Sequence, residues 1–267
     1  MTRRGILLIC LMTIGCGLAA AADDIQATHP NVAIHSPWTS LLQKYVTPEG
    51  AVDYESWKNS GPDRQKLEIY LSTLSKVYPG ALTDPLALSF YLNLYNASVV
   101  KLVLDHYPVK SVKKIGGWGG PWKMTFIKTY GGTVSLDEIE HGIVRPAFHE
   151  PRVHFALNCA SKSCPPLRPE AFTADRLDAQ LADQERIFLT DPKRNRFRVR
   201  ERGVFSKERA AMLEVSEIFK WFPEDFGGQD GVAKRFVPYV TEEARPLLES
   251  GKYNISYVDY DWSLNGK

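Results

Sequence analysis

The chain has 267 residues, 44% hydrophobic and 24% charged, with 33 basic and 31 acidic side chains. These proportions exclude a disordered, fibrous or disulfide-dense chain and leave enough apolar residues for a sizeable core. A net charge of +2 gives no electrostatic ground for binding nucleic acid or an acidic membrane surface.

Thr2, Arg3 and Arg4 precede an apolar run over residues 6–18, and Ala19, Ala20, Ala21 and Ala22 follow it. A basic start, a short apolar core and an A-x-A site read as a secretory signal peptide over residues 1–22. The run falls short of the roughly 20 residues of a membrane span. Export would place the mature chain in a periplasm or outside the cell. An alternative is a lipoprotein anchored through Cys16, because Ile14-Gly15-Cys16 resembles a lipobox. Loss of this segment would remove Arg3, Arg4, Cys10 and Cys16. Cys159 and Cys164 would then be the only thiols, in a compartment that permits disulfides.

Residues 23–36 lack periodicity and read as a leader to a single globular domain over residues 37–267. Ser36-Pro37 followed by Trp38, Leu41, Leu42 and Tyr45 predicts a short helix. Val52, Tyr54 and Ser56 alternate as in a short strand. Leu67, Tyr70, Leu71, Leu74 and Val77 predict an amphipathic helix over residues 62–78. Asp84-Pro85 opens a longer helix, and residues 86–104 are apolar nearly all round, which places it inside the protein. It carries Asn93 and Asn96, three apart and therefore neighbours on one face. Buried amides need partners, so the two either lock adjacent loops or line a pocket.

Residues 115–122 hold four glycines with Trp118 and Trp122, a loop whose backbone can approach a ligand closely. The Lys-Ser/Thr pair of a phosphate loop does not follow it. Residues 124–130 and Thr133-Val134 predict a hairpin around Gly131-Gly132. Ser135 and Glu138 form a capping box for a short helix over residues 136–144, which carries Asp137, Glu140 and His141. Residues 153–158 read as a buried strand running into Cys159. Thr173 is expected to cap a helix through Leu181 and Ile187. Phe197 and Val199 suggest a strand, and Ser216 begins a short helix ending near Pro223. Helical segments near Val232 and Glu242 precede a final strand over residues 255–262. This mixed order predicts an α+β domain with a long buried central helix and a small, mainly antiparallel sheet.

The chemistry-bearing residues gather between Glu140 and Cys164. His141, His154, Cys159 and Cys164 admit four readings. The two cysteines can form a disulfide pinning the following Pro165-Pro166. One of them can be a nucleophile, with His141 or His154 as base and Glu140, Asp137 or an asparagine orienting it. All four can hold zinc, although the spacing departs from the common structural knuckle. The cysteines can also be a redox pair, although they lack the C-x-x-C spacing. Strand alternation would put His154 and Asn158 on one face and Cys159 on the other, unless the chain turns there. His106 and His149 read as solvated loop residues. Asp259, Asp261, Trp262 and Asn265 cluster near the end, where a C-terminal strand with alternating acids either reaches a cleft or, as the preferred reading, forms an exposed edge.

The runs Phe90-Tyr91-Leu92-Asn93-Leu94-Tyr95-Asn96-Ala97, Tyr107-Pro108-Val109-Lys110-Ser111 and Ser135-Leu136-Asp137-Glu138-Ile139-Glu140-His141-Gly142 resemble the domain-of-unknown-function 547 family. So do VHFALNCASKSCPPL over residues 153–167 and YVDYDWSLN over residues 257–265. The resemblance covers residues 38–265 and implies no activity. A more distant resemblance is to papain-like or transglutaminase-like folds. In those folds the nucleophilic cysteine begins the central helix, whereas here Asp84-Pro85 begins it. The expected site is a cleft lined by Glu140, His141, His154, Cys159 and Cys164, with Asn93, Asn96, Trp118, Trp122 and Asn158 as binding residues. No metal or cofactor is expected, and a small molecule or peptide is the expected partner. If the chain is an enzyme, thiol-dependent acyl transfer or amide hydrolysis is the chemistry these groups suit. The rival is a non-catalytic cell-envelope binding module with a structural Cys159–Cys164 disulfide.

Overall fold

Side chains at helical spacing build the first layer of the computed structural model, which describes residues 30–201 and 208–267 apart from the side chains of residues 30–32 and Trp118. The expected signal peptide and the lipobox at Cys16 lie outside the described residues. Helix α1 (Pro30–Tyr45) buries Trp38, Leu41, Leu42 and Tyr45. It starts within the expected leader, so Pro37 lies inside the helix rather than in its first turn. Proline removes one backbone hydrogen bond there. The turn before it is fastened instead by His35, which is buried with Nδ1 2.7 Å from the Tyr70 hydroxyl.

The alternation at Val52, Tyr54 and Ser56 does not produce the expected strand. Val52 makes isolated bridges with Val46 and Gly266, and Tyr54 opens helix α2 (Tyr54–Asn59). The Asp53 carboxylate accepts from the Ser56 N–H at 3.0 Å, and this cap decides the local conformation. Helix α3 (Gly61–Leu74) follows with proline in its first turn and ends before residue 78. Helix α4 (Asp84–His106) is the expected central helix. It is long and apolar enough to cross a membrane, but 83% of its most apolar window is buried inside the protein, which makes it a core helix.

Strands β1 (Ile127–Thr129) and β2 (Gly132–Val134) form the expected antiparallel hairpin. The capping box is also present: Glu138 accepts from the Ser135 N–H at 2.7 Å, and Ser135 accepts from the Glu138 N–H at 3.1 Å. It opens a wide-turned π-helix, Glu138–Val144, which runs into a helical turn, Arg145–Phe148. The expected strand over residues 153–158 is instead a short helix, Val153–Ala156, followed by extended Leu157. A short apolar run is compatible with either form, and here its burial rather than any periodicity explains its composition. Thr173 does not cap the next helix. Helix α5 (Leu177–Thr190) starts after Arg176, and the Gln180 side chain accepts from the Thr173 N–H.

A three-stranded sheet completes the α+β architecture. Its order is β3 (Arg196–Glu201), β4 (Arg209–Ser216), β5 (Tyr253–Val258), with β3–β4 antiparallel and β4–β5 parallel. Helices α6 (Gly228–Phe236) and α7 (Arg245–Glu249) lie in the connection between β4 and β5. Among the described residues the buried apolar side chains form two clusters, one around α1 to α4 and one around the sheet, where Phe155, Phe188, Phe219 and Phe226 meet.

Candidate functional site

A cleft of about 280 Å³ opens where the two clusters meet. Its lining comes from six places: α4 through Tyr95, the glycine-rich loop through Trp122, the π-helix with Asp137 before it, the segment from His154 to Pro165, the turn after β4 and the chain after β5. Of the expected residues it brings together Glu140, His141, His154, Cys159, Cys164 and Trp122. Trp118 belongs to the same loop, but its side chain lies outside the described residues.

Asn93, Asn96 and Asn158 lie behind this surface and hold backbone. Asn93 donates to the Phe172 carbonyl at 2.7 Å and accepts from the Phe172 N–H at 3.0 Å. Asn96 treats Ala156 and Asn158 in the same way, at 2.9 and 2.8 Å. The Asn158 amide donates to the Pro165 carbonyl at 2.7 Å and accepts from the Ala160 N–H at 2.9 Å. These bonds fix both ends of the six-residue ring closed by the cysteines. Gly50, at φ +81°, packs against that ring's exit: a Cβ there would stand 2.4 Å from the Cβ of Pro166.

Cys159 and Cys164 are joined in a disulfide, with Sγ–Sγ 2.02 Å. Cys164 Sγ also accepts from the Cys159 N–H at 2.9 Å and from the Tyr260 hydroxyl at 3.3 Å. Cys159 Sγ lies 3.2 Å from the Ser161 hydroxyl and 3.4 Å from that of Tyr260. The chain after β5 delivers Tyr260 by pairing with the ring: Lys162 donates to the Ser263 carbonyl, Ser163 to the Asp261 carbonyl, and Asn265 to the Ala160 carbonyl. Asp261 is engaged by Ser163 and Ser263, while Trp262 turns into the cleft.

The imidazoles serve other partners. His154 Nε2 lies 2.6 Å from Asp225 Oδ2, and its ring stacks on Phe222 at 4.3 Å. Burial lowers the His154 pKa to about 4, against the pull of Asp225, so the neutral ring donates from Nε2. Arg145 grips Asp225 with Nε at 2.6 Å and Nη2 at 3.0 Å. That bidentate bond, with His154 second, holds the Asp225 carboxyl down at about 2. Arg145 Nη1 is also 3.2 Å from His141 Nδ1, which must therefore accept. His141 Nε2 then faces Asp137 at 3.8 Å. Glu140 accepts from the buried Tyr95 hydroxyl at 3.2 Å, and desolvation raises its pKa. Among the described residues, no group of three His, Cys, Asp or Glu side chains could hold a metal ion.

The aromatic wall is the part that residue-by-residue reading of the sequence misses. Trp221, Tyr260 and Trp262 form a mutual ring cluster with centroids 4.7, 4.5 and 5.7 Å apart, and Trp122 meets Trp262 at 5.6 Å. Phe222 and Ile218 extend it. The available signal is the adjacent pair Trp221-Phe222, in a segment that reads only as secondary structure, and the alternating Tyr260 and Trp262, in a final strand for which a cleft is the alternative to an exposed edge. Arg145 and Asp225 carry no local signal at all.

Residues 79–189 match the model of a family described as Protein of unknown function, DUF547. That segment contains α4, the π-helix, the disulfide and most of α5. The match supports the resemblance to that family read from the sequence. No curated protein and no solved structure matches the chain.

Proposed function

We propose that this chain, carrying a DUF547 segment, is an exported binding protein whose cleft takes an apolar or aromatic group of a small molecule or peptide. Asp137, Glu140 and His141 line the same cleft and read an amine or amide attached to that group. The observation that carries the reading is the ring cluster of Trp122, Trp221, Tyr260 and Trp262 lining one cleft with those polar groups. Rings present large contact area at low conformational cost, and Trp221 keeps an exposed face for it. The mutual bond of the two sulfurs favours binding over thiol-dependent acyl transfer or amide hydrolysis, which require a free thiolate.

Calorimetric titration with phenylalanine amide, against glycine amide as control, tests this. The aromatic amide should bind saturably and more tightly, and Trp221→Ala should weaken it roughly threefold to tenfold, as loss of a ring contact implies. Equal heats for the two amides, or an unchanged affinity in Trp221→Ala, would remove the reading.

A further inference from the structure

The Cys159–Cys164 bond lines the cleft instead of lying wholly within the core. The two sulfurs are not equivalent. Cys159 is half-buried, whereas Cys164 is 3% exposed and receives the Cys159 N–H at 2.9 Å; the Tyr260 hydroxyl stands within reach of both sulfurs. Ser161 donates to Tyr260 at 3.1 Å, which leaves the phenolic proton facing both sulfurs, Cys164 Sγ at 3.3 Å and Cys159 Sγ at 3.4 Å, and free to settle on whichever becomes a thiolate. A fixed backbone donor on the buried sulfur, with a phenol able to join it, is what a departing thiolate needs, because hydrogen bonds to a developing anion are the strong ones.

We propose that this disulfide is a thiol–disulfide exchange site that oxidises a dithiol peptide seated in the cleft, an inference that rests on the binding reading above. A substrate thiolate attacks Cys159 Sγ, forming a mixed disulfide as the Cys159–Cys164 bond breaks. The electron pair of that bond remains on Cys164 Sγ, which leaves as a thiolate held by the Cys159 N–H and Tyr260. The second substrate thiolate then attacks the first substrate sulfur and releases Cys159. The two protons of the substrate thiols end on the two cysteines. The substrate is oxidised to its disulfide, the protein is reduced by two electrons, and no further reactant is consumed. Burial raises the Tyr260 pKa, so the phenol remains a donor throughout the neutral range.

The test uses the oxidised protein and a synthetic peptide in which two cysteines flank a phenylalanine, with oxidised glutathione at equal concentration as reference oxidant. Mass spectrometry should find one peptide disulfide and two protein thiols per turnover, formed at least about tenfold faster than with glutathione. Tyr260→Phe should slow the exchange by about tenfold, the effect of losing a hydrogen bond to a charged sulfur. A wild-type rate no faster than the reference overturns the proposal, as does an unchanged rate in folded Tyr260→Phe protein. The same peptide with serines in place of cysteines separates the two readings. If it binds while the cysteine peptide is not oxidised, exchange alone is wrong; if it does not bind, the cleft reading falls as well.

Discussion

The side chain of Asn96 clamps the backbone around Asn158 from the middle of the central helix, accepting from the Asn158 N–H at 2.8 Å while donating to the Ala156 carbonyl at 2.9 Å. All three residues are buried, so water cannot replace either bond. The segment it holds leads directly into Cys159, and its position sets the depth of the disulfide in the cleft wall. Replacing Asn96 with leucine leaves one buried donor and one buried acceptor unpaired. Each such orphan costs about 1–3 kcal/mol, so Asn96→Leu should lose about 2–6 kcal/mol of stability. The midpoint of urea unfolding reads this, and a loss within measurement error would show that the clamp contributes nothing.

The disulfide should contribute less than that clamp. Closing so short a ring removes little unfolded-state entropy, about 2 kcal/mol on the chain-entropy relation. The Cys159→Ala/Cys164→Ala double variant should therefore unfold cooperatively at a lower urea midpoint and show no response to reductant. The wild type should move to a similarly reduced midpoint when reduced. A far larger loss would mean that the ring organises both apolar clusters rather than only the cleft wall.

Legibility in the sequence followed how local each determinant is. The central helix was readable because its apolar residues continue on every face, and the Ser135–Glu138 box because both partners lie within one turn. Tyr54 misled because a single capping bond from Asp53 outweighed a three-residue alternation. Strand β4 went unread because Ala210, Ala211, Met212 and Leu213 suit a helix by propensity, and only pairing with β3 and β5 extends them. The site divides the same way. Glu140, His141, His154 and the cysteines lie close together in the chain. Asp225 reaches His154 across 71 residues and Tyr260 reaches Cys164 across 96, pairings that no local pattern encodes.

Two buried histidines make the fold sensitive to mild acid. Burial lowers the pKa of His35 and of His154 from 6.5 to about 4. The unfolded chain therefore binds more protons than the folded one between those values. The stabilisation is complete above pH 6.5 and is lost as the pH falls toward 4. Each histidine adds a slope of at most about 1.4 kcal/mol per pH unit in that window. His35→Phe lowers overall stability by orphaning the Tyr70 hydroxyl, but it should remove one histidine's share of the slope between pH 6 and 5. Urea unfolding at four pH values measures it, and an unchanged slope would place the acid sensitivity elsewhere.

Arg145 acts on His154 without touching it. Its guanidinium binds Asp225, donates to His141 and lies over Phe222 at 4.7 Å from the ring centre, on which His154 also stacks. Its positive charge opposes protonation of His154, while burial remains the larger cause of the lowered pKa. Arg145→Gln removes that charge and leaves Asp225 free to favour the imidazolium. The His154 pKa should then move upward from about 4, and the share of the acid sensitivity that His154 contributes should narrow. Asp225→Asn removes the anion instead and should move the same titration downward. Histidine ring resonances followed by NMR across pH 3–8 read both variants. Shifts of the same sign in the two would show that Arg145 and Asp225 act on His154 through packing rather than through charge.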